Sequence, residues 1–349
     1  MNKKYSELAE LFRSEKTDEE ILDFLLNYHK NDIADMMAGM TEEERKRLYH
    51  LLGAQKVAEI FKYIEEPRKY IRELSVESAA RVISEMDSDD AVDLLEDLDP
   101  GEKEQIVRML DEDAKKDVKM LLSYDEEEIG SCMTTNYICI PEDLTIKQAM
   151  SELVKQAGEN DNIMTIYVVD EKGVFAGAID LKDLIRAREN THLEDLVLKS
   201  YPYVTDHEKI DDCMDRILDY AEDSIPVLSE DKRILGVITS EDLIEMVDNE
   251  MGEDYAKLAG LTAEEDLKEP IVQSMKKRLP WLIILLFLGM AVSSVVGLFE
   301  NVVAVLPVVI CFQSLVLDMA GNVGTQSLAV TIRVLMDENL TGKQKFQLV

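Results

Sequence analysis

Three textures of hydrophobic and polar residues follow one another along the chain. Over residues 1 to about 124, apolar side chains recur at helical spacing with very few β-branched runs, which predicts helices throughout. Short units repeat there: "IADMMAGMTEEERKRLYHLL", "VAEIFKYIEEPRKYIREL" and "AARVISEMDSDDAVDLLEDLDPGEKEQIVRML". Each begins with a small residue among aliphatics and is followed by an acidic turn able to cap the next helix. Ala34, Ala58 and Ala80 recur at intervals of 22 to 24 residues, a period that predicts a short helical solenoid with a long exposed face.

From about Ile129 the texture becomes alternating strand and helix. "NYICIPEDLTIKQAMSELVKQ" reads as a strand, a capped turn and an amphipathic helix, and "MTIYVVDEKGVFAGAIDLKDLIRA" as strand, turn, strand and helix. The order then returns, and "YVVDEKGVFAGAIDLKDLI" matches "PVLSEDKRILGVITSEDLI" in length and in its Gly, Asp and Leu positions. This duplication resembles a tandem CBS pair, a family of βαββα regulatory modules that often bind adenine nucleotides. The resemblance implies that the Asp of each terminal "DL" meets a ribose: Asp183, with Thr165 and Lys182 beside the base, in the first half, and Asp242 in the second. ATP-binding members carry an aromatic residue and an arginine where Thr165 and Lys182 stand. Two readings therefore stay open, an ATP site and an empty module serving dimerisation.

The third texture is apolar. "PWLIILLFLGMAVSSVVGLF", from Pro280 to Phe299, is 20 residues without a charge. At ~1.5 Å per residue it matches a hydrocarbon core of ~30 Å and predicts a transmembrane helix. A second apolar run, from Asn301 to Met336, exceeds one simple span and is expected to bend or break near Pro307 or near Gly321 to Gly324. Lys276, Lys277 and Arg278 precede the first span, and Arg333, Lys343 and Lys345 follow or end the second, while the loop between offers only Glu300. By the positive-inside rule both outer flanks are cytoplasmic, and so are the preceding 270 residues. Asp318, Asn322 and Gln326 lie within the second run, where polar residues need a bundle to face. The segment thus reads as the first two helices of a larger membrane domain, or as a hairpin that pairs with other chains.

Charge narrows the function. The chain has 38 Lys and Arg against 72 Asp and Glu, a formal net charge of −34, with nearly all of the excess before residue 270. That sign excludes nucleic acid as a partner and favours cations as counter-charges. Cys132, Cys139, Cys213 and Cys311 form neither a CxxC pair nor an even framework, so zinc and disulfide scaffolds are not indicated. No hydrolase, kinase or dinucleotide motif occurs, and the four histidines lie far apart, which argues against an enzyme.

Two acidic clusters invite a cation. In "DSDDAVDLLEDLD", Asp89 and Asp93 share a helical face, which reads either as a helix start stabilised by the dipole or as half of a divalent-cation site. In "SEDLIEMVDNEMGEDYAKLAGLT", Asp242, Glu245, Glu250, Glu253 and Asp254 crowd one connecting helix that leads to the membrane. Mg²⁺ suits sparse carboxylates from several elements, because it takes oxygen ligands and keeps water.

The order of parts, together with "YDEEEIGSCMTTNYICI", "PWLIILLFLGMAVSS" and the Gly-Asn-x-Gly-x-Gln segment, resembles the MgtE family of magnesium transporters along the whole chain. The resemblance implies a multidomain architecture: an acidic α-helical solenoid at 1–128, CBS modules at 129–197 and 198–247, a connecting plug helix and linker at 242–279, and transmembrane helices 1 and 2 at 280–349. It implies a homodimer in the lipid bilayer of the cell membrane, multi-pass, with the acidic region in the cytoplasm. Cytosolic Mg²⁺ would bridge the domains and close the pore. The matching sensor residues are Glu59, Asp89, Asp93, Asp242, Glu245, Glu250, Glu253 and Asp254, with Glu245 standing where the family has the shorter Asp. The matching pore residues are Asn322, Gly321 and Gly324. Two alternatives stand beside this: a membrane-anchored Mg²⁺ sensor or scaffold, and a transporter of another divalent cation such as Co²⁺.

Overall fold

The computed structural model describes residues 17–64, 66–158, 160–188, 191–258, 271–299 and 307–336. They fall into two compact units, 1–243 and 244–349. The first opens with helices α1 (Asp18–Leu25), α2 (Lys30–Met37), α3 (Glu42–Phe61), α4 (Pro67–Ile71), α5 (Val76–Ser84), α6 (Ser88–Glu96), α7 (Pro100–Met109) and α8 (Glu112–Leu121).

Their boundaries follow from local chemistry. Thr17 and Thr41 cap α1 and α3 with full capping boxes, in which Glu20 and Glu44 reach back to the cap N–H groups. The acidic turns expected from sequence thus act as helix starts. Inside α3, Gly53 takes φ +76°, a left-handed conformation that divides the element into two helical halves. Ala34, Ala58 and Ala80 are all buried, as expected of small residues at helix crossings. Apolar residues such as Leu48, Ile60, Ile83 and Leu95 fill the interior, each contributing on the order of 1.5–3 kcal/mol by leaving water.

The two modules repeat one topology. In the first, β1 (Ile138–Pro141) precedes α9 (Ile146–Gln156), β2 (Thr165–Val169), β3 (Phe175–Asp180) and α10 (Leu181–Arg186). In the second, β4 (Val204–Thr205) precedes α11 (Ile210–Tyr220), β5 (Ser224–Leu228), β6 (Ile234–Thr239) and α12 (Ser240–Leu258). Each sheet pairs its first two strands in parallel and its last two antiparallel, with a register shift at Val168/Val169 and again at Val227/Leu228.

The modules also exchange edges. Thr134, ahead of the first module, pairs with Val237 of the second, and Leu198, ahead of the second, pairs with Ala178 of the first. This exchange explains the glycines that matched in sequence. A Cβ at Gly177 would lie 2.6 Å from the Leu198 carbonyl oxygen, and one at Gly236 would lie 2.7 Å from that of Thr134. Only glycine leaves room for the crossing segment.

The second unit carries α13 (Ile271–Leu298) and α14 (Pro307–Met336). One expectation needs correction here, and of the two break points expected in the second run one is not seen. The first membrane helix does not start at Pro280: α13 begins nine residues earlier and holds Pro280 in its interior, because the loss of one backbone N–H does not end a long helix. Lys276, Lys277 and Arg278 therefore lie on the helix itself. The second run does not break at Gly321 to Gly324; α14 starts at Pro307 and continues through both glycines. Among the described residues, one segment has the length and apolarity for a span: Ser274–Leu298, 25 residues of mean hydropathy 2.4. Glu300, Lys343 and Lys345 lie outside the described residues.

Candidate metal centre

The helical domain rests on the first module through a short polar seam. The Thr135 backbone N–H donates to Ser88 Oγ at 2.9 Å, the Thr135 hydroxyl donates to Asp117 Oδ2 at 2.8 Å, and Asn136 Nδ2 donates to Asp87 Oδ1 at 2.7 Å. Asp87 precedes α6 but makes no capping bond of its own, so its carboxylate is available to the module. The segment from Tyr124 to Gly130 is stitched to the second module: Ile129 N–H to Glu208 O at 2.8 Å, Ile210 N–H to Glu127 O at 2.9 Å, and the Glu128 carboxylate to His207 Nδ1 at 3.0 Å.

Beside the seam lies a cavity of about 220 Å³, walled by Glu59, Lys62, Asp87, Asp89 and Asp90 from the helices and by Asn136, Glu241 and Asp242 from the modules. Asp89 and Asp90 occupy the first turn of α6, where the helix dipole favours negative charge. That favourable end does not satisfy Asp89. Its Oδ1 is sealed from solvent and has no hydrogen-bond partner. Burial, and then the fields of Asp242, Asp90 and Asp87, hold its pKa well above the usual carboxylate range. Burial likewise pushes Asp90 up to about 7, with Lys62 opposing.

Asp242 comes from the first turn of α12. Its Oδ2 accepts the Thr239 N–H at 2.7 Å while its own N–H donates to Thr239 Oγ1 at 3.3 Å, a reciprocal cap that fixes the side chain toward the cavity wall. Burial raises its pKa against those bonds and Lys62. Two lysines intrude. Lys62 Nζ stands 3.1 Å from Glu241 Oε2 and 3.8 Å from Asp87 Oδ2, and Lys30 Nζ stands 3.0 Å from Glu59 Oε2. Burial alone would lower the Lys62 pKa; Asp90, Glu241 and Asp87 outweigh it and raise it.

These residues fit one class of ion. The cavity wall provides hard oxygen donors, one of them a buried, unpartnered carboxylate oxygen. Among the described residues no three His, Cys, Asp or Glu side chains are grouped to hold an ion on their own. A cation that takes one or two carboxylates and keeps its water matches this, as Mg²⁺ does; a tightly caged one does not.

The structure thus brings Glu59, Asp89 and Asp242 to one cavity and leaves other expected ligands elsewhere. Asp93 lies one turn further along α6 and is exposed. Glu245 is exposed on the part of α12 belonging to the second unit. The side chains of Glu250, Glu253 and Asp254 fall outside the described residues.

The expected nucleotide residues do not share one environment. Thr165 is buried at the start of β2, opposite Asp180, with its hydroxyl bonded to Tyr201. Lys182 and Asp183 are exposed on the first turn of α10. At the matching position of the second module, Ser224 Oγ bonds to the Tyr167 hydroxyl at 2.7 Å, so tyrosines occupy the joint between the modules. On α14, Asp318, Asn322 and Thr325 are spaced by four and three residues and share a face. Thr325 Oγ1 donates to the Gly321 carbonyl at 3.1 Å, and a Cβ at Gly321 or Gly324 would meet nothing within 4 Å.

Sequence reasoning missed Lys62, Asp87, Asp90, Asn136 and Glu241. The "DSDD" run and the "TTN" that precedes the first module were visible, but only folding places them against each other.

Comparisons with known proteins agree with this division. A family profile described as the MgtE intracellular N domain matches residues 28–127, and the CBS domain profile matches 127–190 and 193–249. The chain is 38% identical over 339 residues to the magnesium transporter MgtE of Enterococcus faecalis, covering 96% of this chain and 74% of that one. It is 32% identical to the magnesium transporters MgtE of Bacillus subtilis and Thermus thermophilus, spanning about half of their lengths (50% and 49%). Among solved structures, the soluble part of a magnesium transporter superposes with a TM-score of 0.67 at 29% identity, over 71% of this chain and 98% of that one. The cytosolic domain of the Mg²⁺ channel MgtE in complex with ATP superposes with a TM-score of 0.62 at 27% identity, over 69% of this chain and 99% of that one.

Proposed function

This chain belongs to the MgtE family of magnesium transporters, and from that premise we propose that it serves Mg²⁺ transport across the cell membrane as a homodimer, closed by cytosolic Mg²⁺ at the joint between its helical domain and its second module. The observation that carries the gating half is the buried, unpartnered Oδ1 of Asp89, in a wall shared with Asp242. Two half-buried like charges from separate domains repel, at about 1–4 kcal/mol per pair in effective dielectrics of 80 to 20. A divalent cation held by Asp89 and Asp242 supplies the opposing charge. Without it, the carboxylates favour separation of the domains against the hydrogen bonds of Ser88, Asp87 and Asp117. Two opposing terms of similar size suit a switch, since the ion need only bind the closed arrangement better.

Glu59, Asp93, Glu245, Glu250, Glu253 and Asp254 are proposed as further sensor carboxylates, and Asn322 with Gly321 and Gly324 as one wall of the ion path. An uncharged amide beside small residues can order the water around a cation without trapping it. ATP binding between the modules is the proposed second regulatory input, supported by the ATP complex of the superposed cytosolic domain; the exposed Lys182 and Asp183 are its proposed contacts.

Reconstitution into liposomes loaded with a Mg²⁺-sensitive dye tests the reading. Flux is expected when the side bearing the acidic region holds little Mg²⁺, with closure at millimolar Mg²⁺. Asp89→Asn removes an ion ligand and the repulsion together, so its flux should change much less than that of the wild type between low and millimolar Mg²⁺. Flux indifferent to Mg²⁺ on that side would refute the gate, and absence of flux in all conditions would refute transport by this chain.

A further inference from the structure

Eight carboxylates and two lysines line the cavity. Lys30 lies at its helical side, paired with Glu59. Lys62 is placed differently, because its ammonium spans the joint: 3.1 Å from Glu241 in the first turn of α12 and 3.8 Å from Asp87, whose other oxygen is held by Asn136. A single tethered positive charge therefore links the helical domain to the second module, in the wall where a divalent cation would make the same link.

We propose that Lys62 is a built-in counter-cation that competes with the regulatory ion and sets the cavity's affinity for it. The inference rests on the cation-site reading given above. A cavity of about 220 Å³ has the volume of a sphere about 7–8 Å across, and Lys62 lies in its wall, so a cation near its middle lies within roughly 6–8 Å of the Lys62 ammonium. At that separation a divalent and a monovalent charge in a water-like dielectric repel enough to weaken binding about tenfold. A neighbouring aspartate without such a lysine would hold the ion more tightly and release it at lower concentration. As an ordinary half-exposed ion pair, Lys62–Glu241 would add little to stability and nothing to the affinity for the ion. The two roles therefore predict different measurements.

Equilibrium dialysis of the full chain in detergent micelles against MgCl₂, at constant ionic strength and pH 8, distinguishes them. Lys62→Met keeps the aliphatic stem and removes the charge; it is expected to bind Mg²⁺ about tenfold more tightly with the same number of sites. Lys62→Arg keeps the charge and should stay within twofold of wild type. Lys62→Gln serves as a second neutral variant, and metal-free melting of each checks the fold. The neutral variants should melt lower than wild type without metal and rise further with Mg²⁺. Equal or weaker affinity in both neutral variants, while Asp89→Ala still lowers binding in every background, overturns the role of Lys62 and leaves the ion site standing. Binding that Asp89→Ala changes in no background overturns the ion site, and the Lys62 role with it.

Discussion

Replacing Asp89 by Asn should stabilise the protein in the absence of divalent ions, the opposite of what a buried polar substitution usually does. The side chain keeps its shape and loses its charge. Ionised Asp89 bears two costs: an unpartnered buried oxygen, about 1–3 kcal/mol, and repulsion by Asp242, Asp90 and Asp87, of comparable size. Relief of roughly 1–3 kcal/mol, at 2–4 °C per kcal/mol for a unit of this size, raises the melting temperature by roughly 2–12 °C. The sign depends on pH. Because the folded pKa is raised, the folded protein binds this proton more tightly than the unfolded chain, and wild-type stability falls as pH rises from 3.8 through the folded value. Asp90 adds a slope of the same sign up to about pH 7. The advantage of Asp89→Asn should therefore be largest near pH 8 and shrink near pH 5.5. Mg²⁺ at ten times its dissociation constant stabilises wild type by about 1.4 kcal/mol, and the variant should lose that gain. Circular dichroism melts at pH 8 and pH 5.5, with EDTA and with MgCl₂, read all four conditions. A variant that melts lower than wild type in EDTA at pH 8, yet keeps the full Mg²⁺-dependent rise, would refute the reasoning.

Other residues give independent checks. Arg45 is buried, with Nε donating to Glu73 Oε2 at 2.9 Å and a second nitrogen to the Met37 carbonyl. Arg45→Met should cost about 3–5 kcal/mol by stranding Glu73, and Arg45→Met with Glu73→Leu should recover much of it, as read by urea midpoints. Gly236→Ala drives a Cβ to 2.7 Å from the Thr134 carbonyl oxygen and should cost about 1–3 kcal/mol, whereas Gly101→Ala, with open space around it, should not. His207 has a raised pKa, first through its bond to Glu128 and then through Asp206. Its contribution should be complete below about pH 6.5 and disappear as pH rises through the folded value; NMR titration against His207→Gln checks this, and an unshifted imidazole would refute it.

The sequence by itself determined the local and periodic features: helices from 3.6-residue spacing, strands from alternation, the duplicated modules from matched "GAIDLKDLI" and "GVITSEDLI", and a span from its uncharged run. Each rests on neighbours within one element or on a copy elsewhere in the chain. It also put Asp89 and Asp242 in acidic clusters and assigned both to a cation. Only the tertiary structure decided which carboxylates meet. Helical periodicity paired Asp89 with Asp93, since four residues make one turn, yet Asp93 turns to solvent while Asp89 faces Asp242, 153 residues away. The glycines at 177 and 236 were visible as a match but gained their reason from segments that cross between modules. Lys62 carried no signal at all, because a lone lysine at the end of an amphipathic helix is ordinary until folding sets it among carboxylates. Burial and long-range charge depend on where distant elements pack, and no local pattern encodes that.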